Sequence, residues 1–82
     1  MILRELKDVF GGSIDVTEVV IKGNIEEGVE FYFTFQDSPK AKAVNSFKRD
    51  ENFDEYEVKC FEIWNFGQLK KVTLEIELVK GE

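Results

Sequence analysis

Eight residues, Val29–Gln36, constrain this chain more than any others. Val29, Phe31, Phe33 and Phe35 alternate with Glu30, Tyr32, Thr34 and Gln36. Only an extended strand turns that period of two into one apolar and one polar face. A helix would scatter the three phenylalanines around its circumference. Lys71–Val79 repeats the pattern, with Val72, Leu74, Ile76 and Leu78 set against Lys71, Thr73, Glu75 and Glu77. Such alternation marks a strand with one buried and one wet face, the usual habit of antiparallel sheets.

The remaining segments fill in around these two. Ile14–Lys22 carries Val16, Val19, Val20 and Ile21, β-branched residues suited to a pleated surface. Gly23-Asn24 and Gly28 punctuate it, and Asp37-Ser38-Pro39-Lys40 reads as a tight turn. Ala41–Lys48 is expected as a poorer, edge strand, Arg49–Glu55 as a charged loop, and Glu55–Asn65 as a further strand turning at Gly67. At the start, Ile2, Leu3, Leu6, Val9 and Phe10 form one stripe, so Met1–Phe10 is expected as a helix with Arg4 and Asp8 paired on its outer side. Gly11-Gly12 is suited to ending it. No segment of helical periodicity ten or more residues long separates two strands, so no parallel crossover is expected. The expected fold is one α+β domain over 1–82, predominantly β: an antiparallel sheet of four to five strands with one short N-terminal helix packed on it. The alternative is a small five-stranded barrel, which removes exposed edges.

Glu55–Asn65 breaks the alternation. Tyr56, Val58 and Cys60 share a face under regular pairing, and Phe61 and Ile63 then point the other way. A β-bulge near Cys60 would reunite Tyr56, Val58, Phe61 and Ile63 on the core face and turn Trp64 outward, near Phe66. A central strand buried on both faces, one of them under the N-terminal helix, fits equally well. Cys60 itself is expected as a small buried hydrophobe.

Several chemistries lack their residues. Without histidine there is no Ser-His-Asp or Cys-His nucleophile and no His-based zinc site. A lone cysteine builds no thiolate metal cluster within one chain. No glycine-rich phosphate loop occurs, and Asp50–Asp54 lacks the glycine and closing spacing of a calcium loop. A carboxylate pair alone can catalyse glycoside hydrolysis, but 82 residues leave little room for a deep cleft. No enzyme activity, cofactor or metal is expected.

Charge narrows the partner. Seventeen acids against eleven bases give a net charge of −6, opposite to what a nucleic-acid backbone attracts. Met1–Phe10 has no continuous apolar run like that of a secretion signal, and no stretch approaches the ~20 apolar residues of a membrane span. With one cysteine and no possible internal disulfide, the expected setting is the reducing cytoplasm. Six acids and one base fall between Asp50 and Glu62, and a second group, Asp15, Glu18, Glu26, Glu27 and Glu30, surrounds the first hairpin loop. Asp50, Glu51, Asp54, Glu55 and Glu57 are candidates to steer a basic protein surface, or are the solvated rim of a small domain. Tyr32, Trp64 and Phe66 are candidate contact anchors, or a second small core beneath the helix. The expected function is a non-catalytic protein-binding module, an inhibitor, immunity-type or accessory protein that occludes a partner. The alternative is a self-assembling structural protein, a homodimer through an edge strand or aromatic face.

Overall fold

The computed structural model of the chain describes residues 1–9, 16–26 and 28–79. Among them run α1 (Leu3–Val9), β1 (Glu18–Glu26), β2 (Val29–Gln36), α2 (Ala43–Arg49), β3 (Glu57–Phe66), a 3-10 turn (Gly67–Leu69) and β4 (Lys71–Val79). The expected helix stop at Gly11-Gly12, like Phe10, Ile14, Asp15 and Glu27, lies outside the described residues. The four strands make one open sheet in the order β2-β1-β4-β3, so the architecture is α+β and predominantly β, not a closed barrel.

The two hairpins follow from local sequence. Gly28 sits at φ 82° in the β1–β2 turn, a backbone that glycine takes without steric cost. The register then places Phe35 against Val19, Phe33 against Ile21 and Phe31 against Gly23. In the second hairpin the chain reverses through Gly67–Leu69, with Lys70 left-handed at φ 50°.

The sheet centre departs from expectation. β1 and β4 pair in parallel, Val19 with Leu74, Ile21 with Ile76 and Gly23 with Leu78, and only the outer pairings are antiparallel. The expectation failed because it looked for one helix joining two strands. Here the crossover is everything between β1 and β4: one edge strand, α2, a loop and the other edge strand.

Ala41–Lys48, expected as an edge strand, instead holds all but the last residue of α2. Ala43, Val44 and Phe47 fall on one helical stripe and are buried. The helix start is satisfied from upstream: the Ala43 N–H donates to Asp37 Oδ1 at 2.7 Å. The Ser38 hydroxyl accepts from the Ala41 N–H at 3.0 Å, fixing the turn that leads in.

Both helices lie on one side of the sheet. Their Leu3, Leu6, Ala43, Val44 and Phe47 form one core with Val16, Val19, Ile21, Leu74, Ile76 and Leu78. Burying each large side chain is worth ~1.5–3 kcal/mol. The loop after α2 adds an aromatic layer: Phe53 stacks on Phe31 at 5.0 Å, and Tyr56 meets both rings edge-on. Phe35 packs edge-on against Phe47 at 6.0 Å. The phenylalanine run is thus mainly core, although Phe33 is partly exposed.

Candidate functional site

Among the described residues the sheet's other face carries no helix. Cross-strand partners share a face, which assigns to it Gln36, Thr34 and Tyr32 from β2, Glu18, Val20 and Lys22 from β1, Thr73, Glu75 and Glu77 from β4, and Cys60, Glu62, Trp64 and Phe66 from β3. Its middle is tightly knit. Val20, between Thr34 and Glu75, is only 2% exposed. Lys22 pairs with Glu75 at 2.7 Å, and that contact raises the Lys22 ammonium above its ordinary value. Glu18 accepts from the Gln36 amide at 3.1 Å and the Thr73 hydroxyl at 3.3 Å, and pairs with Lys71 at 3.2 Å. These bonds, the Gln36 one foremost, hold its carboxyl below the ordinary glutamate range.

Of the two readings of Glu55–Asn65, the bulge is the one present, and β3 is an edge strand rather than a central one. Val58 pairs with Leu78 and Cys60 with Glu77, leaving Lys59 as the extra residue. Past it, Phe61 and Ile63 lie opposite Ile76 and Leu74 on the core side, and Trp64 and Phe66 point to the open face. Trp64 is 46% and Phe66 44% exposed, and same-face neighbours two residues apart sit about 7 Å from each other. The two therefore form a continuous aromatic patch beside the turn at Gly67–Leu69. On its far side Ile63 is 51% exposed, and Leu69 stands exposed at the turn. Sequence reasoning did not single out Ile63 or Leu69. Ile63 was expected on the core face but lies on a strand that is an edge, and Leu69 lies in the turn that follows it.

Tyr32 is exposed at 69%, but it does not join this patch. It lies in the row Tyr32, Lys22, Glu77, Cys60, on the opposite edge strand and four residues along from Trp64. Strand spacing and rise put the two about 20 Å apart. A shallow concavity of about 390 Å³ beside Tyr32 is lined by Lys22, Asn24, Glu30 and Glu77, among others.

Four of the acidic candidates lie in the loop between α2 and β3, Glu57 opens β3 on the open face, and two of the five carboxylates, Asp54 and Glu55, pair with α1. Lys7, nearly buried, donates to Asp54 Oδ1 at 2.5 Å and to the Asp50 carbonyl. Arg4 pairs with Glu55 rather than with Asp8, and the Met1 amine lies 3.2 Å from Glu57. The Asp50 carboxylate accepts from the Asn52 N–H at 2.9 Å. Glu51 projects into solvent without a side-chain partner among the described residues. Glu57 is seven residues, about 23 Å, along β3 from Trp64, so acids and aromatic patch are separate surfaces.

Cys60, expected to be buried, is exposed. The bulge moves it to the open face, where its thiol donates to Glu77 Oε2 at 3.4 Å. That bond and the surrounding carboxylates push the thiol pKa up, the reverse of an activated cysteine. Among the described residues no three His, Cys, Asp or Glu side chains group to hold a metal ion, and no helix is long and apolar enough to cross a membrane. No family model, curated protein or solved structure matches the chain.

Proposed function

We propose that the chain is a non-catalytic protein-binding module that acts by occluding a partner's surface, with Trp64 and Phe66 as its contact anchors. The observation carrying this reading is that two adjacent large aromatics are left exposed on an edge hairpin, while the chain's core lies on the opposite side of the sheet. Exposed tryptophan beside a second ring is the composition from which interface hot spots are drawn. Tyr32, at the far edge, serves as a separate outlying contact. The net charge of −6, with Glu51 and the partly screened Asp50, Asp54, Glu55 and Glu57, favours a basic protein partner through long-range steering rather than direct contact.

The test is affinity capture from the native cell with wild-type and Trp64→Ala chains of equal thermal stability, followed by titration of the captured partner. Trp64→Ala is expected to weaken binding ~30-fold or more, and the association rate is expected to fall as salt rises. Unchanged affinity in a folded Trp64→Ala variant removes the assignment.

The position of β3 at the edge of the sheet also supports self-assembly as a second reading. Sedimentation over a wide concentration range decides it: a strict monomer removes that alternative.

A further inference from the structure

The shallow concavity on the open face lies over the part of the β1–β2 hairpin nearest its turn. Two rows of the sheet meet there: Tyr32, Lys22 and Glu77 in one, Glu30 and Asn24 in the next. Gly23, between the rows, adds only backbone to the lining. The volume of about 390 Å³ is at the small end of pockets that hold discrete ligands, roughly 300–1,000 Å³. It has room for one long side chain and none for a strand or helix.

The polar groups of this concavity are unevenly satisfied. Lys22 is compensated, because its ammonium reaches diagonally to Glu75, the residue opposite Val20, at 2.7 Å. Glu77 engages one oxygen: the Cys60 thiol and the Lys59 ammonium both lie against Oε2, at 3.4 and 3.6 Å. Its Oε1, the Glu30 carboxylate and the Asn24 amide make no side-chain hydrogen bond or ion pair among the described residues. Tyr32 adds a ring exposed over most of its surface. The concavity therefore offers an aromatic surface, two carboxylates and an amide acceptor, with no uncompensated cation.

We propose that this concavity takes the guanidinium of an arginine side chain from a protein partner, seated against the Tyr32 ring and the carboxylates of Glu30 and Glu77. This rests on the reading of the chain as a protein-binding module and gives the outlying Tyr32 contact its chemistry. A guanidinium is planar, stacks on aromatic faces, and presents a fork of N–H donors that carboxylates match. It is also more weakly hydrated than an ammonium, so an open, half-wet site holds arginine better than lysine. The aliphatic stem of the arginine covers apolar surface while its charge stays at the carboxylates. The net charge of −6 draws cations to this face and repels anionic ligands.

The nitrogen-15-labelled full chain is titrated with the capped tripeptide acetyl-Gly-Arg-Gly-amide and followed by amide chemical shifts. Peptides with lysine or citrulline in place of the arginine, and methylguanidinium alone, are the comparison ligands. The arginine peptide is expected to saturate, with shifts centred on Lys22, Asn24, Tyr32 and Glu77. The uncharged citrulline peptide is expected to bind about tenfold more weakly, and the lysine peptide about threefold. Methylguanidinium, which lacks the stem, is expected to bind about tenfold more weakly. Tyr32→Leu is expected to weaken the arginine peptide severalfold, and Glu30→Gln to shrink its advantage over citrulline. Thermal midpoints are expected to stay unchanged in both variants, since both side chains are exposed. No saturable arginine binding, equal binding of the citrulline or lysine peptide, shifts centred elsewhere, or indifference to Tyr32 and Glu30 overturns the proposal. Methylguanidinium binding as tightly as the arginine peptide overturns it in favour of a small free guanidine. If no peptide binds while native-partner binding still depends on Trp64, the module reading stands without this site. If the arginine peptide binds as expected while Trp64→Ala leaves partner affinity unchanged, the site stands and the Trp64 assignment falls.

Discussion

Lys7 of α1 and Asp54 of the loop entering β3 meet at 2.5 Å, both largely withdrawn from solvent. The same ammonium lies 5.3 Å from the centre of the Phe47 ring on α2. One side chain thus ties both helices to the loop that crosses beneath the sheet. Removing one partner of such a pair strands the other charge. Asp54→Asn is expected to cost ~3 kcal/mol in urea unfolding, and Lys7→Met less, ~1–2 kcal/mol, because the more exposed Asp54 rehydrates. The double variant is expected to be more stable than the sum of the two losses predicts.

Gly23 is a packing requirement. A Cβ there would stand 2.3 Å from the Leu78 carbonyl oxygen and 3.0 Å from the Phe31 ring. The nearer atom is backbone of the paired central strand, so relief means parting β1 from β4. Gly23→Ala is expected to destabilise by ~2–3 kcal/mol, read as a lowered thermal midpoint. Gly67→Ala, with open space at its Cβ, is the control and is expected to change little.

The folded chain holds the Glu18 carboxyl below its ordinary value near 4.5, through Gln36, Lys71 and Thr73. A carboxyl lowered on folding stabilises at pH values above its unfolded value, and that contribution is lost as pH falls through the folded one. Wild type is expected to exceed Glu18→Gln by ~1 kcal/mol at pH 7, with the gap closing below pH 4.5. Chemical denaturation at pH 7, 5 and 3 measures it. A constant gap would show that the charge is not the source.

Cys60 is exposed yet sits beside Glu77, which raises its thiol pKa. Alkylation by iodoacetamide at pH 8 is expected to run several-fold slower than for free cysteine, since only the thiolate reacts. Glu77→Gln is expected to restore the rate, because it removes the carboxylate and leaves Lys59, now 3.6 Å from Glu77, to favour the thiolate.

Features with a local cause were legible in the sequence. The alternation of Phe31, Phe33 and Phe35, that of Leu74, Ile76 and Leu78, and the bulge before Cys60 all show in runs of a few residues. The outward turn of Trp64 follows from that bulge by counting. α2 was harder: seven residues give one apolar stripe of Ala43, Val44 and Phe47, and the oxygen that satisfies its first N–H belongs to Asp37, six positions upstream. The parallel centre depends on which distant strands meet, although the unbroken run Val19-Val20-Ile21 is what a strand buried on both faces looks like. The acids at 50–57 read as a free charged rim because Arg4 and Lys7, their partners, are some fifty residues away. Cys60 was assigned by residue type, and the bulge overrode type.

The placement of β4 also sets the order in which the molecule can be made. Its first residues pair with β1 across a gap of 55 positions, so the middle of the sheet waits for residues 71–79 to leave the ribosome. Until then the β1–β2 hairpin presents Val19, Ile21 and a full row of unpaired backbone groups along the rim that β4 will fill. Such distant pairing is slow to form and open to the wrong partner while it waits. The nascent chain, rather than the finished one, is where this protein is most exposed to aggregation.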